Sequence, residues 1–404
     1  MARTSARTVE RDLRTAISLW QSFSRLPLRT RLAVIGLAVV AGLIYLWANH
    51  KPAPTIIAPA DEANQPPAAT VPGDGSYLFC FWNVENLFDD KVDPGRRSVD
   101  KEFDVPFGED AALRQEKLDR LTAALLRMNE GRGPDILACA EVESVRAADL
   151  LRATLNAKLT ATKADPRLQY TQVSMKNIGN DAGRHISTCV ITRLPVAHQL
   201  TRVHGRNLRI LETHLVVNGS DLTVISSHWT SQLTQRDGGN GGGGRDRYAE
   251  TIYDVYKKAF DRNPGVDFLV CGDFNCEPEA DSVRNVLGAL VDRTRLTSPP
   301  ALLNLFAGKD PAKYGTHWYS GKPLIYDHIC VSPGLLDDKG WKCDPDTARS
   351  ISEGLTQPGG TRRQPWRFGG LGKGPIGGRG YSDHFPVVVR LSVRPAAGPA
   401  KEPE

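Results

Sequence analysis

The chain has 404 residues, 40% hydrophobic and 7% aromatic, which supplies enough apolar material for one large or two ordinary domains. Its formal net charge of +5 comes entirely from residues 1–31, which hold seven arginines and two acidic residues. The other residues sum to zero, so no global basic field draws the protein onto nucleic acid, and any attraction for phosphate must be local.

The seven cysteines do not have the spacing of a zinc site, because no Cys-x-x-Cys pair occurs. Four of them lie in apolar, strand-like runs, where a free thiol behaves as a small hydrophobic side chain. These four are Cys80, Cys139, Cys189 and Cys271. The sequence leaves open a disulfide among the other three, Cys276, Cys330 and Cys343.

Residues 32–48, LAVIGLAVVAGLIYLWA, carry no charge and have the length of a short membrane span. The arginines of residues 1–31 precede this run, which predicts a cytoplasmic N-terminal segment, a single-pass signal-anchor and an extracytoplasmic catalytic domain. A cleaved signal peptide is the competing interpretation. Residues 49–75, rich in Pro and Ala, are predicted to form an extended linker.

Regular structure is expected from residue 76 onward. An apolar run predicts a strand at 77–82, and leucines at helical spacing predict a helix at 109–128. A second strand and a second helix follow at 136–140 and 147–159. Three further strands have no helix between them, which favours a mixed sheet, or two stacked sheets with helices outside. These three are predicted at 188–192, 208–217 and 222–227.

The second half of the chain continues this alternation. Residues 238–244, six glycines and one asparagine, are predicted to be a loop. A helix at 245–260 then leads to a buried strand at 266–271. The last elements are strands at 324–331 and 386–393, followed by a disordered tail at 395–404.

The strand at 266–271 is followed by a glycine, Gly272, and then by two polar residues, Asp273 and Asn275. Residues two apart in an extended chain point to the same side, so both side chains would project from the end of a core strand. Strand ends are where α/β proteins build their sites. The plain alternative is a strand that ends in an Asx turn.

Polar residues also end the other predicted strands. The full set is Asn83, Glu85, Glu141, His228, Asp273, Asn275, Asp327, Asp383 and His384. Each of them alone has a structural explanation, such as a cap or a turn. Together they supply the carboxylates, carboxamides and histidines that suit a hard divalent cation and phosphate chemistry.

The order of six motifs resembles the endonuclease/exonuclease/phosphatase superfamily over about residues 76–393. The motifs are Trp82-Asn83-Val84-Glu85-Asn86-Leu87-Phe88, Ala140-Glu141-Val142, Ser227-His228-Trp229, Gly272-Asp273-Phe274-Asn275, Tyr326-Asp327-His328-Ile329 and Ser382-Asp383-His384-Phe385-Pro386. The resemblance implies an α/β fold in which two stacked mixed β-sheets are flanked by helices, a four-layer α/β sandwich. This catalytic domain would span 76–394, after the predicted transmembrane helix.

The resemblance also implies a metal site for Mg²⁺ or Mn²⁺. Glu141 resembles the principal metal ligand of the family. Asp383 and Glu85 would lie beside it, and Asn83 resembles the residue that orients these ligands.

The catalytic roles implied by the resemblance fall on five residues. Asp273 resembles the residue that positions or deprotonates the attacking water, and Asn275 the amide that contacts phosphate. His384 resembles the histidine at the scissile phosphate, with Asp327 holding its imidazole. His228 resembles the second histidine of the deoxyribonuclease-like members.

Substrate contacts are predicted in two further segments. Residues 361–380 are basic, aromatic and rich in glycine, and they lead into Ser382, which suits a polyanion. A solvated loop is the alternative. The candidates there are Arg362, Arg363, Trp366 and Arg367. Arg184 lies in a segment that loosely resembles the family's Arg-Gly stretch.

Two departures from the family pattern, Ala140 and His328, leave the substrate class open. The preferred hypothesis is a membrane-anchored, metal-dependent phosphodiesterase, expected to be a monomer and to act as a nuclease on nucleic acid. A sphingomyelinase-like phospholipid phosphoesterase or a sugar-phosphate phosphoesterase is the alternative. A catalytically inactive binding module ranks lowest, because every core polar group is present.

Overall fold

A computed structural model describes residues 75–96, 98–176, 184–231, 242–359, 362–369 and 379–393. The predicted N-terminal segment, signal-anchor and tail lie outside these residues, as do nearly all of the linker and most of the glycine loop. Within the described ranges, no helix combines the length and the apolar character that crossing a bilayer requires.

The described residues form fifteen β-strands and five α-helices. The strands are β1 (Ser76–Leu87), β2 (Ile136–Val142), β3 (Gln172–Ser174), β4 (Ser187–Thr192), β5 (Arg202–Val203), β6 (Ile210–Val217), β7 (Ser220–His228), β8 (Phe268–Asp273), β9 (Ala289–Leu290), β10 (Leu302–Asn304), β11 (His317–Tyr319), β12 (Lys322–Leu324), β13 (Asp327–Val331), β14 (Trp341–Ser350) and β15 (Val387–Val393). The helices are α1 (Ser98–Glu109), α2 (Ala111–Leu125), α3 (Val145–Ala161), α4 (Gly242–Arg262) and α5 (Pro311–Tyr314).

Two mixed sheets form the framework. One has the strand order β14-β15-β1-β2-β4-β3, and the other has the order β5-β6-β7-β8-β13-β10-β9, while β11 and β12 form a separate hairpin. The pairs β1–β2, β7–β8 and β9–β10 are parallel, and the other pairs are antiparallel. The mixed sheets expected from the sequence are therefore confirmed.

The two sheets pack face to face, with helices on their outer faces. Phe81 of β1 and Leu269 of β8 belong to the same buried cluster between the sheets. On the outer face of the first sheet, Trp82 packs in a cluster with Leu121 of α2 and with α3. On the outer face of the second sheet, α4 packs against Val270. Alternate residues of β1 and β8 thus enter different clusters, which is why residues 77–82 of β1 and 268–271 of β8 are continuously apolar.

The predicted helix at 109–128 was too long, since α2 spans Ala111–Leu125, and a second helix precedes it. Asp110 caps α2, because its carboxylate accepts hydrogen bonds from the backbone N–H groups of Ala112 and Leu113. The residues before it form α1, which the sequence interpretation missed. The predicted strand at 324–331 was also wrong in its extent, since it divides into β12 and β13.

All seven cysteines are buried free thiols. A disulfide among Cys276, Cys330 and Cys343, left open by the sequence, is therefore not formed. Burial raises the pKa of Cys276 and of Cys343 to about 12, so these thiols stay protonated.

Candidate active site

The strand-end residues meet along one edge of the sandwich. In the second sheet, His228, Asp273 and Asp327 lie directly opposite one another on β7, β8 and β13. In the first sheet, Asn83 of β1 pairs in register with Ala140, the residue before Glu141. Since the sheets stack, both sets of side chains reach one site between them.

This site is a cavity of about 590 Å³. Eight of the predicted catalytic, metal-binding or substrate-binding residues line it, together with other polar groups. Among its lining residues are Asn86, Glu141, Arg184, Asn207, Arg209, His228, Thr230, Arg247, Tyr248, Asp273, Asn275, His317, Arg367, Asp383 and His384.

The backbone at this edge adopts the left-handed region at four non-glycine positions. Glu85, Asn86, Glu141 and Asn275 have φ values of 53°, 58°, 63° and 51°. This conformation costs free energy for residues with a Cβ, and it recurs at functional sites. At Glu141 and Asn275 it lets the chain leave a core strand while the side chain still lines the cavity.

Asn83 links the two sheets through its carboxamide. Its Nδ2 donates to Glu141 Oε1 at 3.2 Å and to Asp273 Oδ2 at 3.0 Å. Its Oδ1 accepts from the backbone N–H of Glu85 at 3.1 Å. Asn83 therefore holds two carboxylates in place, and its own oxygen is already engaged within the protein.

His384 is held by a fully buried carboxylate. Its Nδ1 lies 2.7 Å from Asp327 Oδ2, while its Nε2 lies 3.7 Å from Asp273 Oδ2. Burial by itself lowers the pKa of His384, but Asp327 and Asp273 outweigh burial and raise the pKa well above the ordinary value. The imidazolium thus keeps a proton on the nitrogen that faces Asp273.

Asp273 accepts a hydrogen bond on each of its carboxylate oxygens. Its Oδ1 accepts from the backbone N–H of Asn275 at 2.9 Å, and its Oδ2 accepts from Asn83. Burial, followed by repulsion from Asp327, raises its pKa to about 7 although His384 opposes the shift. A carboxylate of this pKa can exchange a proton with water near neutral pH.

Two further histidines line the cavity in neutral form. Burial first, and then the positive charge of Arg209, lower the pKa of His228, whose Nε2 lies 3.7 Å from Asp273. Burial and His384 lower the pKa of His317 to about 4. The His317 ring lies 4.4 Å from that of His384, centroid to centroid, and its Nδ1 donates to the carbonyl of Asp383 at 3.1 Å.

Glu85 lies behind the cavity. Its carboxylate accepts from Arg367 Nε and from the backbone N–H of Phe368, both at 2.9 Å. Arg367 also lies 3.2 Å from Asp383 Oδ2. The fully buried Lys117 carries a further positive charge near Glu85, and burial lowers its pKa to about 8. Glu85 thus forms part of a buried charge network rather than of the cavity wall.

Three predicted substrate residues do not line the cavity. Arg363 donates to Ser350, Ser352 and the carbonyl of Gly315, which places it in the framework. Trp366 packs edge-on against Tyr381, and Arg362 is exposed. Arg184 and Arg367 are the two substrate candidates that the structure brings to the cavity.

The carboxylates of the cavity fit a divalent cation. Burial raises the pKa of Glu141, and the nearby Asp383 adds to the shift. Burial opposes the ionised form of Asp383 too, but His384 and Arg367 outweigh it and lower its pKa. Carboxylates that line one cavity and repel each other are stabilised by a bound cation, and Mg²⁺ and Mn²⁺ both accept oxygen ligands.

Comparison with known proteins identifies the family of the chain. The Endonuclease/Exonuclease/phosphatase family model matches residues 78–393. The chain belongs to this family. The superfamily predicted from the six motifs is therefore confirmed, and members of the family are hydrolases that act on phosphoesters. A search of curated protein sequences finds no match.

Several solved structures resemble the family domain. Truncated TDP2 of Caenorhabditis elegans is 17% identical with a TM-score of 0.45, over 79% of this chain and 98% of that chain. The mannosyl-6-phosphatase Bt3783 of Bacteroides thetaiotaomicron is 14% identical with a TM-score of 0.44, over 78% of this chain and 99% of that chain. SmcL is 15% identical with a TM-score of 0.46, over 79% and 99%.

Proposed function

We propose that the chain is a divalent-metal-dependent phosphodiesterase that hydrolyses nucleic-acid phosphodiester bonds. One observation carries this proposal: Glu141, Asp273 and His384 come from distant parts of the chain and line one cavity. Asn83 ties the first two together, and Asp327 keeps the third charged. This arrangement supports the roles of a metal ligand, a base and a proton donor around one point.

The metal would be held by Glu141 and Asp383. A Mg²⁺ or Mn²⁺ ion supplies charge neutralisation at a non-bridging phosphate oxygen when it is bound. Asn83 orients Glu141 through the hydrogen bond from its Nδ2, and the backbone N–H of Asn86 donates to the other oxygen at 3.0 Å. Both contacts fix the direction of the Glu141 carboxylate.

The hydrolytic step assigns opposite roles to Asp273 and His384. Asp273 accepts the proton of the attacking water, since its pKa of about 7 matches that of a base at neutral pH. As the water oxygen bonds to the phosphorus of the scissile phosphate, the P–O bond to the leaving oxygen breaks. His384 donates its Nε2 proton to that oxygen, because Asp327 keeps the imidazole protonated. His228, which is neutral and within 3.7 Å of Asp273, positions the same phosphate.

A nucleic-acid substrate is favoured over a phospholipid or a sugar phosphate. Three guanidinium groups that line the cavity, from Arg184, Arg209 and Arg247, suit a polyanion. Attachment to the membrane through residues 32–48, with the catalytic domain on the extracytoplasmic side, is also proposed. It is supported by the uncharged run and by the arginines that precede it.

A comparison of three substrates tests the proposed function. We expect relaxation of plasmid DNA in Mg²⁺ and none in EDTA. Release of phosphocholine from sphingomyelin, or of inorganic phosphate from sugar phosphates, without DNA cleavage would contradict the nuclease assignment. The absence of all three activities would favour a binding module.

A further inference from the structure

We propose that the cavity contains a second anion subsite, formed by Arg209 and Arg247 with Arg184 beside them. It binds a phosphate that neighbours the scissile one in the same nucleic-acid strand. This inference rests on the proposed nuclease function and specifies how the substrate is recognised.

Arg209 is fixed directly beside the catalytic residues. Its carbonyl accepts a hydrogen bond from the backbone N–H of His228 at 3.0 Å. Its own backbone N–H donates to the Tyr248 hydroxyl at 3.1 Å, and Tyr248 stacks on Trp229, the residue after His228. Its Nη2 donates to the carbonyl of Arg184 at 3.2 Å. The guanidinium therefore lies on a rigid support next to the scissile position.

Arg184 and Arg247 hold positive charge that the protein does not neutralise by an ion pair within the described ranges. Arg184 donates to Asn86 Oδ1 at 2.8 Å and to the carbonyl of Val99 at 3.2 Å. Arg247 donates to the carbonyl of Arg206 at 3.4 Å. All three acceptors are neutral, so the charge of both guanidinium groups is left to interact with a ligand.

Arg367, which also lines the cavity, differs in this respect. Arg367 lies 2.8 Å from Glu85 and 3.2 Å from Asp383, and both of these acids are its ion-pair partners. Its charge therefore stabilises the carboxylates and contributes less to anion binding. Within the described ranges, the cavity thus has one guanidinium with ion-pair partners, that of Arg367, and two without, those of Arg184 and Arg247.

Helix α4 adds positive potential to the cavity. Gly244, in its first turn, lines the cavity, and Arg247 and Tyr248 follow one turn later. The N-terminal end of a helix favours anions, because its first N–H groups lack partners within the helix. The volume of about 590 Å³ lies within the range of pockets that enclose whole ligands, so it has room for more than one phosphoryl group.

A pair of matched substrates tests this subsite. TpT contains one phosphodiester, and pTpTp contains the same phosphodiester with a phosphate on each side. We expect the wild-type chain to cleave the phosphodiester of pTpTp with a kcat/KM about tenfold higher than that of TpT, because a charge-assisted contact contributes roughly that factor. Arg247→Gln and Arg209→Gln should bring the two values to within about twofold, mainly by raising KM for pTpTp. Arg202→Gln, exposed on β5, is the control and should keep the preference.

The outcomes separate this inference from the proposed function. An equal loss of kcat/KM on pTpTp and on TpT would overturn the subsite. So would an unchanged preference for pTpTp over TpT in both variants. If Arg209→Gln fails to fold, Arg247→Gln decides alone. The Arg247 side chain donates to one backbone carbonyl, that of Arg206, so its replacement should not disturb folding. If the wild-type chain cleaves neither compound and does not relax plasmid DNA, the nuclease function fails. Binding of fluorescent oligothymidylate in EDTA then tests the subsite by itself: weaker binding by Arg247→Gln supports it, and equal binding overturns it.

Discussion

At the residue scale, Asp327 contacts His384 and is not among the residues that line the cavity. It is fully buried, and its Oδ2 lies 2.7 Å from His384 Nδ1. A carboxylate in this position selects the tautomer and favours the charged imidazole. Because His384 is the proposed proton donor, the pH range of activity depends on this contact.

Replacing Asp327 by Asn should move the alkaline limb of the pH–rate profile to lower pH. The pKa of His384 is raised by Asp327, so activity that requires imidazolium persists to high pH in the wild type and is lost as pH rises through that pKa. Without the charge, the loss should begin about one pH unit earlier or more. The measurement is kcat/KM against pH, with the exposed cap variant Asp310→Asn as control. An unmoved alkaline limb would contradict the role.

Glu141→Gln should weaken Mg²⁺ binding by about tenfold or more, because one ligand charge is lost while the shape is kept. Isothermal titration calorimetry measures this directly. Glu116→Gln, on the outer surface of α2, is the matched control. Equal affinities for wild type and Glu141→Gln would remove Glu141 from the metal site.

The sequence predicted those site residues that end apolar strands. Glu141, Asp273 and His384 each adjoin such a run, and the structure brings them to one cavity. It did not predict Arg209 and Arg247, whose place depends on how β6 and α4 meet. It also did not indicate that the ring of His317 lies against that of His384. The expectation that Arg363, in the basic segment before Ser382, contacts substrate was wrong, because its side chain donates to the carbonyl of Gly315.

At the element scale, Gly272 serves the pairing of β7 with β8. The sequence interpretation placed it after the strand at 266–271, whereas the structure places it inside β8, opposite Ser227. A Cβ at this position would lie less than 3.0 Å from the carbonyl oxygen of Ser227. The missing side chain lets the two strands approach at the point where His228 and Asp273 begin the site.

Gly272→Ala should therefore lower the free energy of unfolding by about 1–3 kcal/mol, as overpacking in a close-packed region does. It should also lower activity, since both strand ends shift. Urea unfolding gives the first quantity. Gly265→Ala is the control, because the nearest atom to its new Cβ would be 3.5 Å away. Equal stability of the two variants would show that the strands can separate freely.

A charged network on β6 predicts pH-dependent stability. Burial opposes the charge on His214, but hydrogen bonds to Asp221 and Glu212 outweigh it and raise its pKa to about 9. The pKa of Glu212 falls to about 2, because bonds to His204 and His214 outweigh burial. The His214 contribution is complete below its unfolded pKa and is lost as pH rises through 9. The Glu212 contribution is complete above its unfolded pKa and is lost as pH falls through 2.

His214→Gln should accordingly cost most stability near pH 5–6, about 1–2 kcal/mol after allowance for solvent screening. The difference from wild type should shrink above pH 9. Thermal unfolding from pH 5 to 10 measures it, with His198→Gln as the exposed control. A pH-independent difference would show that His214 contributes only by packing.

The elements missed from the sequence are those without a clear apolar period. Helix α1 contains Pro106 and four acidic residues, so its pattern did not predict a helix. Strand β14, with Pro345 and several charges, buries only alternate residues in its first half. Both are held by tertiary contacts rather than by local preference, which single-sequence patterns do not register.

At the scale of the whole molecule, the account depends on two sheets that present their functional ends at one edge. The parallel pairs β1–β2 and β7–β8 bring their C-terminal ends to this edge, and antiparallel β13 starts there. The resemblance predicted this arrangement, since the order of motifs carries the topology. Substrate recognition was less predictable, because it depends on loops and helix ends that the motifs do not specify.

The most direct test is Mg²⁺-dependent cleavage of a single-stranded oligonucleotide by the wild-type chain and by Asp273→Asn. We predict cleavage by the wild type that stops in EDTA, and a rate lower by about 100-fold or more in the variant. The melting temperature of the variant at pH 8 should not fall, because burial already disfavours the ionised carboxylate. Cleavage by Asp273→Asn at the wild-type rate, or no cleavage of any phosphodiester by the wild type, would contradict the account.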